Sequence, residues 1–226
     1  MGKYTEKDFK VENYEEFYSD HHFAPLPDDE SINAHRLFPR VAWALDIAKE
    51  IDAKRILDLG CLEGYAVLTI LHHTNAESGV GVDLSEEGIA LGNQRAKKFG
   101  LDVQFHQMPI EQFMESYNGP KFDLVMAFEV MEHVKDPIQV FALIDKVKTE
   151  NGTVLISTPD FEGPTFGKDD EQNKCHIRLY TTADEDYEAV NKYGNTRLAT
   201  SLTKQVGKER FVSINVYSQL IHARYV

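Results

Sequence analysis

Cysteine, tryptophan, basic charge and long apolar runs are what this chain has least of. Its 226 residues include two cysteines, Cys61 and Cys175, and one tryptophan. Thiols this few and this far apart exclude a disulfide framework and a zinc site of the C-x-x-C type, and they fit a reducing compartment. Nowhere do about 18 apolar residues follow one another, so a membrane-spanning helix is not encoded. Met1 to Lys10 mix both charges without the apolar stretch of a secretory leader, and Glu6 stands where a myristoylation pattern requires serine or threonine. A cytoplasmic protein without membrane partners is expected. Lysine and arginine number 24 against 37 acidic residues, a formal charge of -13. Over most of a surface that balance repels a phosphate backbone. Short pairs such as Lys97 and Lys98 do not offset it, so nucleic acid is not the expected partner.

What is present suffices for one substantial core: 42% of the residues are hydrophobic, and 13 phenylalanines and 10 tyrosines are among them. We read residues 34–226 as a single domain and residues 1–33 as an N-terminal extension. The extension is rich in aromatics and acids, is broken at Pro25 and Pro27, and serves either as a lid over a site or as cover for a sheet face. From Arg55 onward, β-branched runs alternate with helical stretches, the pattern of βαβ units and a largely parallel sheet. The expected strands are Arg55 to Leu59, Gly79 to Asp83, Val103 to His106, Phe122 to Phe128 and Thr153 to Ser157. The last two are near-continuously apolar, as in a sheet buried on both faces. Ala34 to Ile51 reads as an amphipathic helix and Tyr65 to Leu71 as an apolar one. Helix starts are marked by Ser85 with Glu86 and Glu87, by Asp136 with Pro137, and by Thr182 with Glu185 as far as about Tyr193. At the tail, Arg210 to Tyr217 and Leu220 to Val226 are extended segments separated by Ser218 and Gln219. Such a hairpin implies an antiparallel last strand.

Ile56 to Gly64 is a strand running into a glycine turn at a helix N-terminus, where a ligand can approach the backbone and meet unpaired N–H groups. The G-x-G-x-x-G of dinucleotide sites is absent, because Leu62 sits where a second close glycine belongs, and the phosphate loop G-x-x-x-x-G-K-[ST] is absent too. Asp83 ends the second strand. A carboxylate there either accepts both hydroxyls of a ribose or caps the helix beginning near Ser85.

Three segments then carry a resemblance. Leu57-Asp58-Leu59-Gly60-Cys61 with Gly64, Gly81-Val82-Asp83, and Phe122-Asp123-Leu124-Val125 resemble motifs I, II and IV of the class I S-adenosylmethionine-dependent methyltransferases, over roughly residues 34–226. Glu129-Val130-Met131-Glu132-His133-Val134 with Asp136-Pro137, Ser157-Thr158-Pro159, and His176-Ile177-Arg178-Leu179-Tyr180-Thr181 resemble the ubiquinone-biosynthesis O-methyltransferases among them. The resemblance implies a doubly wound α/β, Rossmann-like fold with a mostly parallel seven-stranded sheet and an antiparallel last strand. Its implied activity is transfer of a methyl group from S-adenosylmethionine to a small-molecule acceptor, foremost at oxygen. It further implies that Asp58 and the turn of Gly60, Cys61 and Gly64 face the methionine part of the cofactor, while Asp83 and Leu84 hold the ribose and adenine edge. Met108 would flank the adenine, and Phe128 and Glu129 would line the methyl-transfer face. Arg36 would pair with the methionine carboxylate, or else lie solvated on its helix. Leu62 departs from the family, which has glycine or another small residue there.

Glu129, Glu132 and His133 fall at i, i+3 and i+4, one face of a helix. With His176, which the resemblance brings in from a later loop, they form a candidate set for a divalent metal, magnesium or manganese. In the other reading Glu129 and His133 hydrogen-bond to substrate or to each other. His176 is the candidate general base, with Glu129 and His133 beside it. The pairs His21-His22 and His72-His73 read as surface residues, since neighbours in sequence point to different sides. The glycine-punctuated loop Asp160 to Lys174 is expected to gate the sheet edge. Two rival readings are a nicotinamide-dependent reductase and a non-catalytic S-adenosylmethionine-binding protein. The missing G-x-G-x-x-G and the terminal hairpin weigh against the first, and the joint presence of Glu129, His133 and His176 against the second.

Overall fold

The computed structural model describes residues 25–159, 197–198 and 211–216. Strands β1 (Arg55–Leu59), β2 (Ser78–Asp83), β3 (Val103–Gln107) and β4 (Phe122–Phe128) form where the apolar runs predict them, and β5 (Lys148–Pro159) begins before the expected Thr153. The helices are α1 (Asp28–Ser31), α2 (Pro39–Glu50), α3 (Tyr65–His73), α4 (Glu86–Phe99), α5 (Ile110–Ser116) and α6 (Pro137–Val147). Strands β6 (Arg197–Leu198) and β7 (Phe211–Val216) complete a 7-stranded sheet in the order β3-β2-β1-β4-β5-β7-β6. Pairing is parallel from β3 through β5. β7 lies antiparallel to β5, and on its other side it pairs with β6. The expected second arm of the tail hairpin, Leu220 to Val226, and the helix from Thr182 lie outside the described residues.

Alternation along the strands sorts the core into two layers. Ile56, Leu124, Met126 and Leu155 face a layer with Val41 and Ala44 of α2, Val67, Leu68 and Ile70 of α3, and Ile89 and Ala96 of α4. Leu57, Leu59, Val125 and Ala127 face the other, with Phe113 and Met114 of α5 and Val140, Leu143 and Ile144 of α6. Ser31 and Ile32 are buried too, so the segment just before α2 covers the first layer.

One expected helix, Ala34 to Ile51, is divided: a single 3-10 turn spans Ala34–Arg36, and α2 starts afresh at Pro39. Proline has no N–H to donate and crowds its predecessor out of helical conformation, so Phe38 is extended (φ -117, ψ 113). Other starts follow the side-chain chemistry. Ser85 Oγ accepts from Gly88 N–H at 3.0 Å and Asp136 Oδ1 from Gln139 N–H at 3.1 Å. Among the described residues no helix is long and apolar enough to cross a membrane.

β1 lies between β2 and β4, so the strand order reverses beside it. The chain leaves β1 and β4 toward opposite layers, and the C-terminal ends of two such strands are the place where open α/β sheets bind ligands. Asp58, Gly60 and Glu129 stand at that edge.

Candidate active site

The turn after β1 is left-handed at every second residue. Gly60 and Gly64 have φ of 70° and 73°, and Leu62 joins them at 51°. A leucine in the left-handed region is held there at a cost. The restraint is visible: Leu62 N–H donates to Asp83 Oδ2 at 2.7 Å. Leu62 thus adopts the left-handed conformation despite carrying a side chain.

The turn does not offer the row of unpaired amides that its sequence suggests. Gly60 and Cys61 N–H both donate to Val82 O, at 2.8 and 3.1 Å, and Gly64 N–H donates to Cys61 O at 2.8 Å. β2 sits alongside and consumes them, which suits a site that binds through side chains rather than one that cradles phosphate. A Cβ on Gly60 would come within 2.3 Å of Val130 Cγ2, besides adopting a positive φ. Gly60→Ala is accordingly expected to lower unfolding free energy by about 2 to 4 kcal/mol in urea titrations, and Val130→Ala in the same chain should recover part of that loss. An unchanged midpoint would contradict this packing argument.

Asp83 serves two backbone donors at once, Leu62 N–H through Oδ2 and Ser85 N–H through Oδ1 at 2.9 Å. The helix cap itself is Ser85, so the carboxylate is not needed for that purpose. Each carboxylate oxygen has a second acceptor position, enough for two ribose hydroxyls. Burial raises the Asp83 pKa, opposed by the amides of Ser85, Leu62 and Leu84.

Asp58 is 2% exposed, and its Oδ2 has no hydrogen-bond partner among the described residues. Burial pushes its pKa up to about 7 and the neighbouring Asp83 adds to the rise, while the Val67 amide and Arg40 act the other way. An orphaned, buried carboxylate oxygen fits a cationic amine such as the one on the methionine part of S-adenosylmethionine.

Arg36 is exposed on the 3-10 turn. The guanidinium that acts on Asp58 belongs to Arg40, which sequence reasoning missed. Arg40 is only 9% exposed, donates from Nη2 to Tyr65 Oη at 2.8 Å and lies 5.0 Å from the centroid of the Phe38 ring. Its one signal was position, directly after the proline that restarts the helix. Met108 is half-buried, its N–H donating to Asp83 O at 3.0 Å; Leu84 is half-buried, and Cys61 and Phe128 are buried.

Past β4 the expected helical face does not form. Glu129 has φ of 57°, and residues 131–133 make a turn closed by His133 N–H to Val130 O at 2.9 Å. The i, i+3, i+4 spacing thus loses the periodicity on which a shared face depends. Glu129 is tied to β5, donating its N–H to Ser157 O at 2.9 Å and accepting Ser157 Oγ–H on Oε1 at 2.7 Å. Glu132 is buried at 1% exposure, 3.8 Å from His133 Nε2 through Oε1. Among the described residues no group of three or more His, Cys, Asp or Glu is arranged to hold a metal ion. His176, the loop Asp160 to Lys174 and the pair His21-His22 lie outside the described residues. His72 is exposed and His73 half-buried, the latter meeting Asn33 Oδ1 at 3.1 Å and the His35 ring at 4.7 Å between centroids.

Comparison with known proteins agrees with this geometry. The methyltransferase domain family matches residues 51–213. The ubiquinone biosynthesis O-methyltransferase of Bordetella pertussis is 28% identical over 187 residues, covering 81% of this chain and 74% of that protein. The Pasteurella multocida enzyme of the same name is 29% identical over 136 residues, 55% of this chain and 54% of that one. In several such alignments the chain spans about half the length of the curated relative. Among solved structures, the N-methyltransferase NodS of Bradyrhizobium japonicum WM9 superposes with a TM-score of 0.58 at 16% identity, over 84% of this chain and 97% of that one. An O-methyltransferase family protein from Burkholderia thailandensis gives a TM-score of 0.60 at 15% identity, over 84% and 57%. These two likenesses concern the fold. With the match covering most of the chain and the glycine turn, Asp58 and Asp83 in place, the chain belongs to the class I S-adenosylmethionine-dependent methyltransferases.

Proposed function

We propose that this chain methylates an oxygen atom of a small, non-polymeric acceptor, with Glu129 at the transfer face and His176 as the base. The observation that carries the reading is Glu129. It is a non-glycine residue held at positive φ where β4 opens onto the switch point, with its carboxyl oriented by Ser157. Strain of that kind persists where the surrounding structure over-determines it, and it concentrates at sites of function. The O-methyltransferase names of the curated relatives support oxygen as the acceptor atom. The negative balance of the chain supports a substrate other than nucleic acid.

S-adenosylmethionine supplies a methyl group on a sulfonium, which is already a good leaving group. The chain's part is to hold and to orient. Asp58 takes the ammonium of the methionine part, with Arg40, and Arg36 from the exposed turn, on the side of its carboxylate. Asp83 takes the ribose hydroxyls, and Leu84 and Met108 border the adenine. Glu129 and His133 position the acceptor hydroxyl. His176 removes its proton as the new oxygen–carbon bond forms and the sulfur–carbon bond breaks with its electron pair on sulfur. No step is assigned to a metal.

The test is turnover against a panel of phenols, carboxylic acids, sugars and amines, read as one added methyl by mass. A phenolic or other hydroxyl acceptor is expected to score, and His176→Ala is expected to reduce its rate by about 10² to 10⁴, with Glu129→Gln also impaired. Methylation confined to amines would overturn the oxygen assignment. Loss of activity in a chelator, restored by magnesium or manganese, would overturn the metal-free proton transfer.

A further inference from the structure

Between the glycine turn and α4 lies a buried charge pair that the binding scheme above does not use. Arg95 of α4 and Glu63 of the turn each have side chains 2% exposed, and Arg95 Nη1 lies 3.1 Å from Glu63 Oε1. The segment before α1 is fastened to both. Leu26 N–H donates to Glu63 Oε1 at 3.0 Å, and Leu26 O accepts from Arg95 Nη2. Arg95 Nε also donates to Asp28 Oδ1 at 3.2 Å, and Lys98 Nζ reaches Asp28 Oδ2 at 2.6 Å. One residue, Leu26, is therefore held through its N–H by a residue of the cofactor turn and through its C=O by the helix that follows β2.

We propose that Glu63 and Arg95 are positioning residues for the cofactor. By clamping Glu63 against α4 and Leu26, the pair holds Leu62 and Gly64 in the left-handed conformations from which the turn receives the methionine part.

Three observations converge on this role. Glu63 sits between two residues of positive φ, and its side chain ties that strained stretch to Arg95 of α4. Gly88, one turn into α4, lies so near the turn that a Cβ there would stand 2.8 Å from Leu62 O. Helix α4 is therefore already pressed against the turn, and the ion pair fixes its register. A buried guanidinium also cannot be left unpaired without large cost, so the contact resists opening. The docking of Leu26 onto the same two residues joins the chain before α1 to the shape of the turn. This inference rests on the assignment of the turn as the cofactor site.

The experiment compares the full-length chain with Arg95→Met, Arg95→Lys, Glu63→Gln and the double variant Glu63→Gln/Arg95→Met. A control, Val140→Ala on α6, truncates the core in the opposite layer. S-adenosylhomocysteine affinity is measured by calorimetry at a temperature where near-ultraviolet dichroism shows each variant folded, alongside Tm. Arg95→Met is expected to raise Kd about tenfold or more, Arg95→Lys to recover part of that loss, and the double variant to be no worse than Arg95→Met. The control should lower Tm with Kd unchanged. If Arg95→Met lowers Tm but leaves Kd within about twofold, as in the control, the pair is only structural and the proposal fails. Should Arg95→Met not fold, near-isosteric Glu63→Gln decides on the same criterion. Failure of the parent to bind S-adenosylhomocysteine would defeat the cofactor assignment instead. Amide exchange at Leu62 to Gly64 in the ligand-free protein then decides for the clamp, faster exchange in Glu63→Gln sustaining it and an unchanged rate overturning it.

Discussion

Alanine at Asp83 is expected to weaken binding of S-adenosylmethionine and S-adenosylhomocysteine by roughly a hundredfold or more. Two charge-assisted hydrogen bonds to ribose hydroxyls are worth about 1.5 to 3 kcal/mol each, and about 1.4 kcal/mol is a factor of ten. The structure adds a second source of loss. Leu62 N–H, now paired with Asp83 Oδ2, would lose its acceptor, and with it the restraint that keeps a leucine at a φ of 51°. Asparagine separates the two effects, because its one carbonyl oxygen can still accept from Leu62 N–H and one ribose hydroxyl while the amide nitrogen cannot accept from the second. Ser85→Ala is the matching control: losing the Ser85 to Gly88 cap should cost about 1 kcal/mol of stability and little affinity. Calorimetric titration of folded Asp83→Ala with S-adenosylhomocysteine checks the expectation. Parental affinity there would mean that Asp83 only braces the turn.

The second large effect is a dependence on pH set by Asp58. Its carboxyl is raised from 3.8 to about 7 in the fold, so between those values the native chain holds a proton that the unfolded chain has released. Stability of the ligand-free protein therefore falls as pH rises through this window and levels off above it, a change on the order of a few kcal/mol. Binding of a cationic amine beside Asp58 favours the ionised form and reverses the preference. Cofactor affinity should accordingly increase with pH up to about 7, and at pH near 6 binding should release close to one proton. Calorimetry in buffers of different ionisation enthalpy measures that proton directly. Asp58→Asn should abolish the release, melt at a higher temperature than the parent above neutrality, and bind the cofactor more weakly. Binding without proton release in the parent would remove Asp58 from contact with the ammonium.

The strands and the sheet were legible in the residues themselves, because a parallel strand buried on both faces must be almost wholly apolar. Phe122 to Phe128 and Thr153 to Ser157 fit that description. Helix starts at Ser85 and Asp136 were equally plain, since capping is a contact within four residues and needs no tertiary partner. The Gly60 to Gly64 turn after the first strand and Asp83 at the end of the second could be placed from local pattern as well, whereas Asp58 was marked out by its resemblance to the family motif.

What only the tertiary structure decided is everything that depends on a neighbour from elsewhere in the chain. Ala34 to Ile51 has the periodicity of one helix, and Pro39 divides it. Glu129, Glu132 and His133 have helical spacing, but Ser157 of β5 draws Glu129 into a left-handed bend, and the common face disappears. Arg40 was invisible because an arginine in a first helical turn is ordinarily solvated, and only the packing of α2 on α3 buries it against Tyr65. The amides of the glycine turn looked available until β2 was laid beside them. Spacing along the chain specifies which groups lie near one another within an element. Hydrogen-bond partners and desolvation are set by packing between elements, and these govern whether Asp58 is charged and whether an N–H is free.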